Sequence, residues 1–184
     1  MKKLYKLGQD GSFGADVCKR EEVAVKVAKQ VKKLCRWSKD PKAVADPIVY
    51  IKNFNGEIQT GLLKGEALNN DKINFSTEVS RQYLCHASIG PCCAIACWNK
   101  NNLEVHTHSQ SVFPLQRSLA AVFKVDENTI DVIHHQGSGC YGHNGSDDVA
   151  LDAALVAKAI PEIPVRVQWS REDELSWSPL APAM

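Results

Sequence analysis

Four glycines fall within nine residues, inside the stretch Gly137-Ser-Gly-Cys-Tyr-Gly-His-Asn-Gly-Ser-Asp-Asp148. Glycine at this density lets a backbone come unusually close to a partner. The apolar run Ile130-Asp-Val-Ile133 comes before it, and a helical pattern begins at Asp147. A strand, a glycine-rich turn and a helix start in that order offer backbone N–H groups to an anion or a polar cofactor. Taken alone, the same order is also a plain tight connection.

The surrounding periodicity sets the fold class. Cys92–Trp98 and Leu103–His108 flank Asn99-Lys-Asn-Asn102 and predict a β-hairpin. Pro114–Phe123 predicts a helix with proline at or near its first position, and Thr129–His134 a strand. Ser146–Ala159 predicts a helix with Asp147 and Asp148 in its first turn, and Val165–Trp169 a further strand. Thr77–Cys85 alternates loosely and predicts a strand. Ahead of it, Gly14–Cys18 predicts a strand and Glu21–Trp37 a helix with Val23, Val27, Val31 and Leu34 on one face. Asp46–Phe54 predicts a short helix, and Asn55–Asp71 a linker. The class is α+β, with mixed sheets and packed helices.

Charge and cysteine usage narrow the functions. A net charge of +1 gives no general case for nucleic acid or a membrane surface. The basic excess is local: residues 1–80 hold 15 Lys+Arg against 10 Asp+Glu, and residues 81–184 hold 7 against 11. A solvated helix face accounts for it. No run of about 18 apolar residues is present, so no transmembrane helix is expected. Seven cysteines without a paired framework point to a reducing compartment. Cys92, Cys93 and Cys97 lie in an apolar run and read as small core residues, not zinc ligands. The spacings that hold an iron–sulfur cluster are missing.

Residues around the glycine turn carry a resemblance. Ser109-Gln-Ser-Val-Phe-Pro114 precedes it, and Pro164-Val-Arg-Val-Gln-Trp-Ser-Arg-Glu-Asp-Glu174 follows. Together with Cys140-Tyr-Gly-His-Asn-Gly145 and the ending Ser178-Pro-Leu-Ala-Pro-Ala-Met184, this order resembles the molybdopterin-binding subunit of the xanthine dehydrogenase and aldehyde oxidase superfamily. The isoquinoline 1-oxidoreductase beta subunit is the branch it is most similar to. The resemblance is dense from about Tyr83 to Met184. It implies that residues 81–184 are the first part of a molybdopterin-binding domain, truncated, and that residues 1–80 close a preceding α/β scaffold region with its linker.

The resemblance also implies roles. Gln110 matches a glutamine that faces an oxo ligand of molybdenum, and a neutral amide can donate there without bringing charge. On the residues alone, Gln110 reads as a loop glutamine capping the helix near Pro114. Gly139, Cys140, Tyr141 and Gly142 match a Gly-Gly-Phe-Gly segment at the cofactor. Tyr141 would wall the substrate pocket, or be a half-buried loop aromatic. His143 and Asn144 are further pocket candidates, and His143 reads equally as a group that holds its own loop. The xanthine-oxidising enzymes carry a glutamate near the position of Gly145, so an N-heteroaromatic or aldehyde substrate fits better than a purine.

The cofactor implied is a molybdenum–molybdopterin cytosine dinucleotide, with no direct metal ligand from these residues. The partners implied are a [2Fe-2S] small subunit and, as acceptor, a cytochrome c. The general-base glutamate is expected downstream, so the fragment alone should not turn over substrate. The resemblance admits a periplasmic location as well as the cytoplasm suggested by the thiols. The remaining groups read as structural. Asp147 and Asp148 suit helix capping. His106 and His108 share a strand face without an obvious third ligand, and His134 and His135 alternate across a strand. Arg171–Glu174 reads as a salt-bridge and capping feature, and no serine has a triad. The competing reading is a non-catalytic α+β binding or assembly domain.

Overall fold

The computed structural model describes residues 3–7, 11–36, 45–57, 75–144 and 149–184. Strands β1 (Lys3–Leu7) and β2 (Gly11–Ala15) pair antiparallel as a separate two-stranded sheet. Helices α1 (Glu21–Leu34) and α2 (Pro47–Lys52) follow. The main body contains β3 (Cys93–Asn99), β4 (Asn102–Thr107), α3 (Val112–Phe123), β5 (Ile130–His134), α4 (Val149–Ala159), β6 (Val165–Gln168) and α5 (Arg171–Trp177). Four strands form one mixed sheet in the order β5-β4-β3-β6. β4 and β5 run parallel, joined through α3, and the other pairs are antiparallel.

One face of this sheet makes the core. Strand alternation sends Ala94, Ala96, Trp98, Leu103, Val105, Ile130 and Val165 to that face, where all are buried. α4 lies across it and is buried nearly all round, because Ala150, Ala153, Ala154 and Ala157 let its backbone approach the sheet. Leu103, Leu119 and Ile130 are fully buried, and each such side chain contributes about 1.5–3 kcal/mol by leaving water. Trp98 has both its needs met: its indole N–H donates to Ala154 O at 3.1 Å, and its ring meets Phe123 edge-on at 5.2 Å.

α3 starts at Val112, two residues before the expected proline. Pro114 is tolerated there because a first-turn residue has no helical acceptor for its N–H. The helix ends on Lys124, left-handed at φ 56°. The Gln116 amide then donates to Ile130 O at 2.7 Å and ties α3 to the start of β5. The hairpin, β5, β6 and the short helix α2 fall where they are expected, within a residue or two. α2 owes its start to Asp46, whose side chain accepts from the Ile48 and Val49 N–H groups.

Two expectations are corrected. Residues 77–85 form no sheet strand. They run extended, and Arg81 and Leu84 pair with Met184 and Ala181 at the other end of the chain through four backbone bonds of 2.7–3.2 Å. Pro179 and Pro182 in that partner segment lack N–H donors, so no ladder can grow. α1 ends at Leu34 instead of Trp37, and none of its residues is buried. Its charged side chains reach the main body: Glu21 pairs with Arg166 at 2.6 Å and Lys32 with Glu172 at 2.7 Å. Most of the expected linker, and Asp147 and Asp148, lie outside the described residues.

Candidate functional site

Parallel pairing decides where the site lies. The C-terminal ends of β4 and β5 are neighbours, because Thr107 pairs with His134. The segments leaving those two ends, 108–111 and 135–144, therefore meet at one sheet edge. Such an edge is where ligands enter open α/β sheets.

The second segment is the glycine turn. Gly139 (φ 96°), Tyr141 (φ 54°) and Gly142 (φ 97°) all take positive φ, where side chains are disfavoured. Tyr141 is the strained one, and its ring leans back over Gly139. A Cβ on Gly139 would lie 3.1 Å from that ring. The turn closes through the His143 N–H donating to Cys140 O at 3.0 Å. Gly139, Tyr141 and Gly142 are all exposed. The residues leading into the turn are packed as closely. A Cβ on Gly137 would meet His108 at 2.9 Å, and one on Gly90 would meet Ser138 at 2.8 Å.

Gln110 is held against this turn. Its backbone N–H donates to Asn144 O at 3.0 Å, and its side-chain Oε1 accepts from the Cys140 thiol at 3.4 Å. Cys140 Sγ in turn accepts from the Asn144 N–H at 3.4 Å. The Gln110 side chain thus turns to Cys140 rather than to the first turn of α3. Two stretches about 30 residues apart in sequence form one exposed surface.

His143 and Asn144 are placed differently. They are only 2% and 3% exposed. The His143 ring stacks on His86 at 5.4 Å and lies 3.7 Å from Cys92 Sγ, beneath the exposed surface of the turn. Burial, with the neighbouring His86 and His108, lowers the His143 pKa, and Glu174 only partly opposes this. The folded state therefore binds the proton less readily than the unfolded chain. Stability is fully present above the ordinary histidine value of about 6.5 and falls as pH drops below it. Thermal unfolding scanned from about pH 8 to pH 5 is expected to show this decline. His143→Gln should flatten it, and an unchanged pH slope in that variant would remove His143 as its source.

The Arg-Glu-Asp-Glu segment is architectural, as its sequence suggests. Ser170 and Asp173 form a reciprocal capping box at the start of α5. Glu174 is buried. One of its oxygens accepts from the Cys92 N–H at 2.8 Å, and the other pairs with Arg171 at 2.5 Å. Arg171 also donates to Ser88 O. α5 thereby clamps residues 88–92, and the Ile89 N–H donates onward to Ser138 O at 3.1 Å, at the entry to the glycine turn.

The opposite face of the sheet bears a contact that periodicity did not reveal. His106 Nδ1 lies 2.8 Å from His135 Nε2, and His106 Nε2 lies 2.9 Å from Glu104. A groove of about 490 Å³ runs past these residues to Gly137–Gly139 and Asn144, lined also by Cys92, Cys93 and Cys97. His134 turns away and meets Ser109 O at 2.9 Å, as alternation requires.

Residues 47–184 match the family model of the molybdopterin cofactor-binding domain. The chain belongs to that family. One nicotinate dehydrogenase subunit, from Pseudomonas putida, is 35% identical over 179 residues, which are 91% of this chain and 14% of that protein. Among solved structures, quinoline 2-oxidoreductase from Pseudomonas putida 86 shares the fold with a TM-score of 0.52 at 19% identity, over 55% of this chain and 13% of that one. Reconstituted CO dehydrogenase from Oligotropha carboxidovorans does so with a TM-score of 0.52 at 17% identity, over 56% and 13%. This chain thus spans about one seventh of the length of the curated relative it matches. Among the described residues no helix is long and apolar enough to cross a membrane.

The site of this molybdopterin-binding family member suits such a cofactor chemically. An exposed neutral amide and an exposed glycine turn with three positive φ values can approach a polar group closely without adding charge.

Proposed function

We propose that this chain forms the part of a molybdenum hydroxylase subunit that presents Gln110 and Gly139–Gly142 to the molybdenum centre. The convergence of Gln110 with the glycine turn through Cys140 and Asn144 carries this reading. When bound, the cofactor supplies oxidation of a substrate carbon, with water as the oxygen source and two electrons passed out. The residues of this chain orient and bind. The Gln110 amide donates a hydrogen bond to an oxygen on the cofactor. The backbone of Gly139–Gly142 lets the cofactor approach. The exposed Tyr141 ring offers a face on which a planar substrate can stack.

The substrate class is an N-heteroaromatic compound or an aldehyde. A relative named for nicotinate, and the absence of an acid at Gly145, favour the heteroaromatic. The cofactor form is the cytosine dinucleotide. The electron route is a [2Fe-2S] small subunit, with a cytochrome c as a further acceptor. The general-base glutamate comes from another part of the full-length protein. Among the described residues no disulfide joins two cysteines, which suits folding in a reducing compartment.

Molybdenum content tests the reading. The chain alone, and the longest open reading frame that contains it, are purified from a host that makes the cofactor, and bound metal is measured by elemental analysis. Metal is expected in the longer protein and not in this chain alone, because the curated relative is about seven times longer. No molybdenum in either form would overturn the assignment and leave an α+β binding domain.

A further inference from the structure

We infer that Cys140 is a positioning residue that sets which end of the Gln110 amide faces the cofactor. This deepens the function proposed above and rests on it. A thiol has one weak donor and accepts weakly. Cys140 Sγ already accepts from the Asn144 backbone N–H at 3.4 Å. Its own proton is the group it can give to Gln110, and only Oε1 of that amide can receive it, at 3.4 Å. With Oε1 turned inward, the two Nε2 hydrogens point to the exposed side. A reversed amide would turn Nε2–H toward a sulfur that is already accepting and present a lone pair outward. An oxygen ligand would then meet an acceptor instead of a donor.

Both ends of the latch are anchored. Asn144 is 3% exposed, and its backbone O accepts from the Gln110 N–H at 3.0 Å. The Asn144 side chain lines the adjoining groove, and its buried Oδ1 has no hydrogen-bond partner among the described residues. A buried acceptor left unmet beside the latch marks this edge as a surface that a polar group completes. Glycine at position 140 would leave the Gln110 amide free to rotate, and alanine would too.

The test has one arm that needs no cofactor. The S–H stretch of Cys140 is isolated in infrared difference spectra by subtracting Cys140→Ala from the parent chain. Gln110→Leu removes the acceptor and should shift that band to higher frequency. An unmoved band overturns the latch. In the second arm, the full-length protein with its partner is compared as parent, Cys140→Ala and Cys140→Ser. Loss of one neutral hydrogen bond predicts a fall in kcat of about five- to ten-fold in Cys140→Ala. KM and bound molybdenum should hold, and Cys140→Ser, which keeps a donor, should recover part of kcat. A shifted band with unchanged kcat overturns the positioning role. Absence of molybdenum from the parent defeats the function proposed above, while the infrared arm still decides the latch.

Discussion

Gln110→Leu, placed in the full-length protein with its partner, is expected to lower kcat by about 100-fold and leave bound molybdenum unchanged. The magnitude is that of removing one preorganised donor from a site where charge develops. Leucine keeps the approximate size and loses both the donor and the acceptor. The fold should tolerate the change, because the structural bond of this residue is made by its backbone N–H to Asn144 O at 3.0 Å, and its side chain is exposed. Steady-state kinetics and elemental analysis on the same preparation check both halves. A loss of less than about three-fold would mean that the amide does not contact the reacting centre. Loss of metal along with activity would instead assign Gln110 to cofactor retention.

Glu174→Ala is expected to lower the unfolding free energy by about 3 kcal/mol, the scale for breaking a buried charge pair. Several contacts are lost at once. The Cys92 N–H loses its acceptor at 2.8 Å, Arg171 loses its carboxylate at 2.5 Å, and a buried cavity opens. Domains of this size typically have about 5–15 kcal/mol in total, so the change should move a urea midpoint visibly. Glu174→Gln keeps one oxygen for the Cys92 N–H and should cost less than alanine. Equal losses in the two variants would show that charge, not the hydrogen bond to Cys92, stabilises the clamp. The damage should reach the site as well, since residues 88–92 touch the glycine turn through Ile89 and Ser138.

The local elements were legible where a short-range rule governs them. The hairpin follows from two alternating runs around Asn99–Asn102, and α4 from its alanine-rich run ending before Pro161. The glycine turn was legible because only glycine occupies positive φ cheaply, although Tyr141 joins it there. The segment 77–85 misled because alternation signals an extended chain but does not say what it pairs with. Its partner stands about a hundred residues away, at 181–184. His143 misled in another way. A polar side chain after an exposed turn looks available, and its burial against His86 and Cys92 depends on a loop about 50 residues earlier.

By itself, the sequence determined that a strand, a glycine-rich turn and a helix stand in a row, and that Gln110 and the turn resemble a molybdopterin site. Those are statements about neighbours along the chain, where backbone sterics and periodicity act. Only the tertiary structure decided that the two meet. Parallel pairing of β4 with β5 brings the ends of both strands to one edge, so the thiol of Cys140 reaches the amide of Gln110. The same pairing sets His106 against His135. Hydrogen bonds between residues far apart in sequence depend on strand order and register, and neither is written in any local stretch.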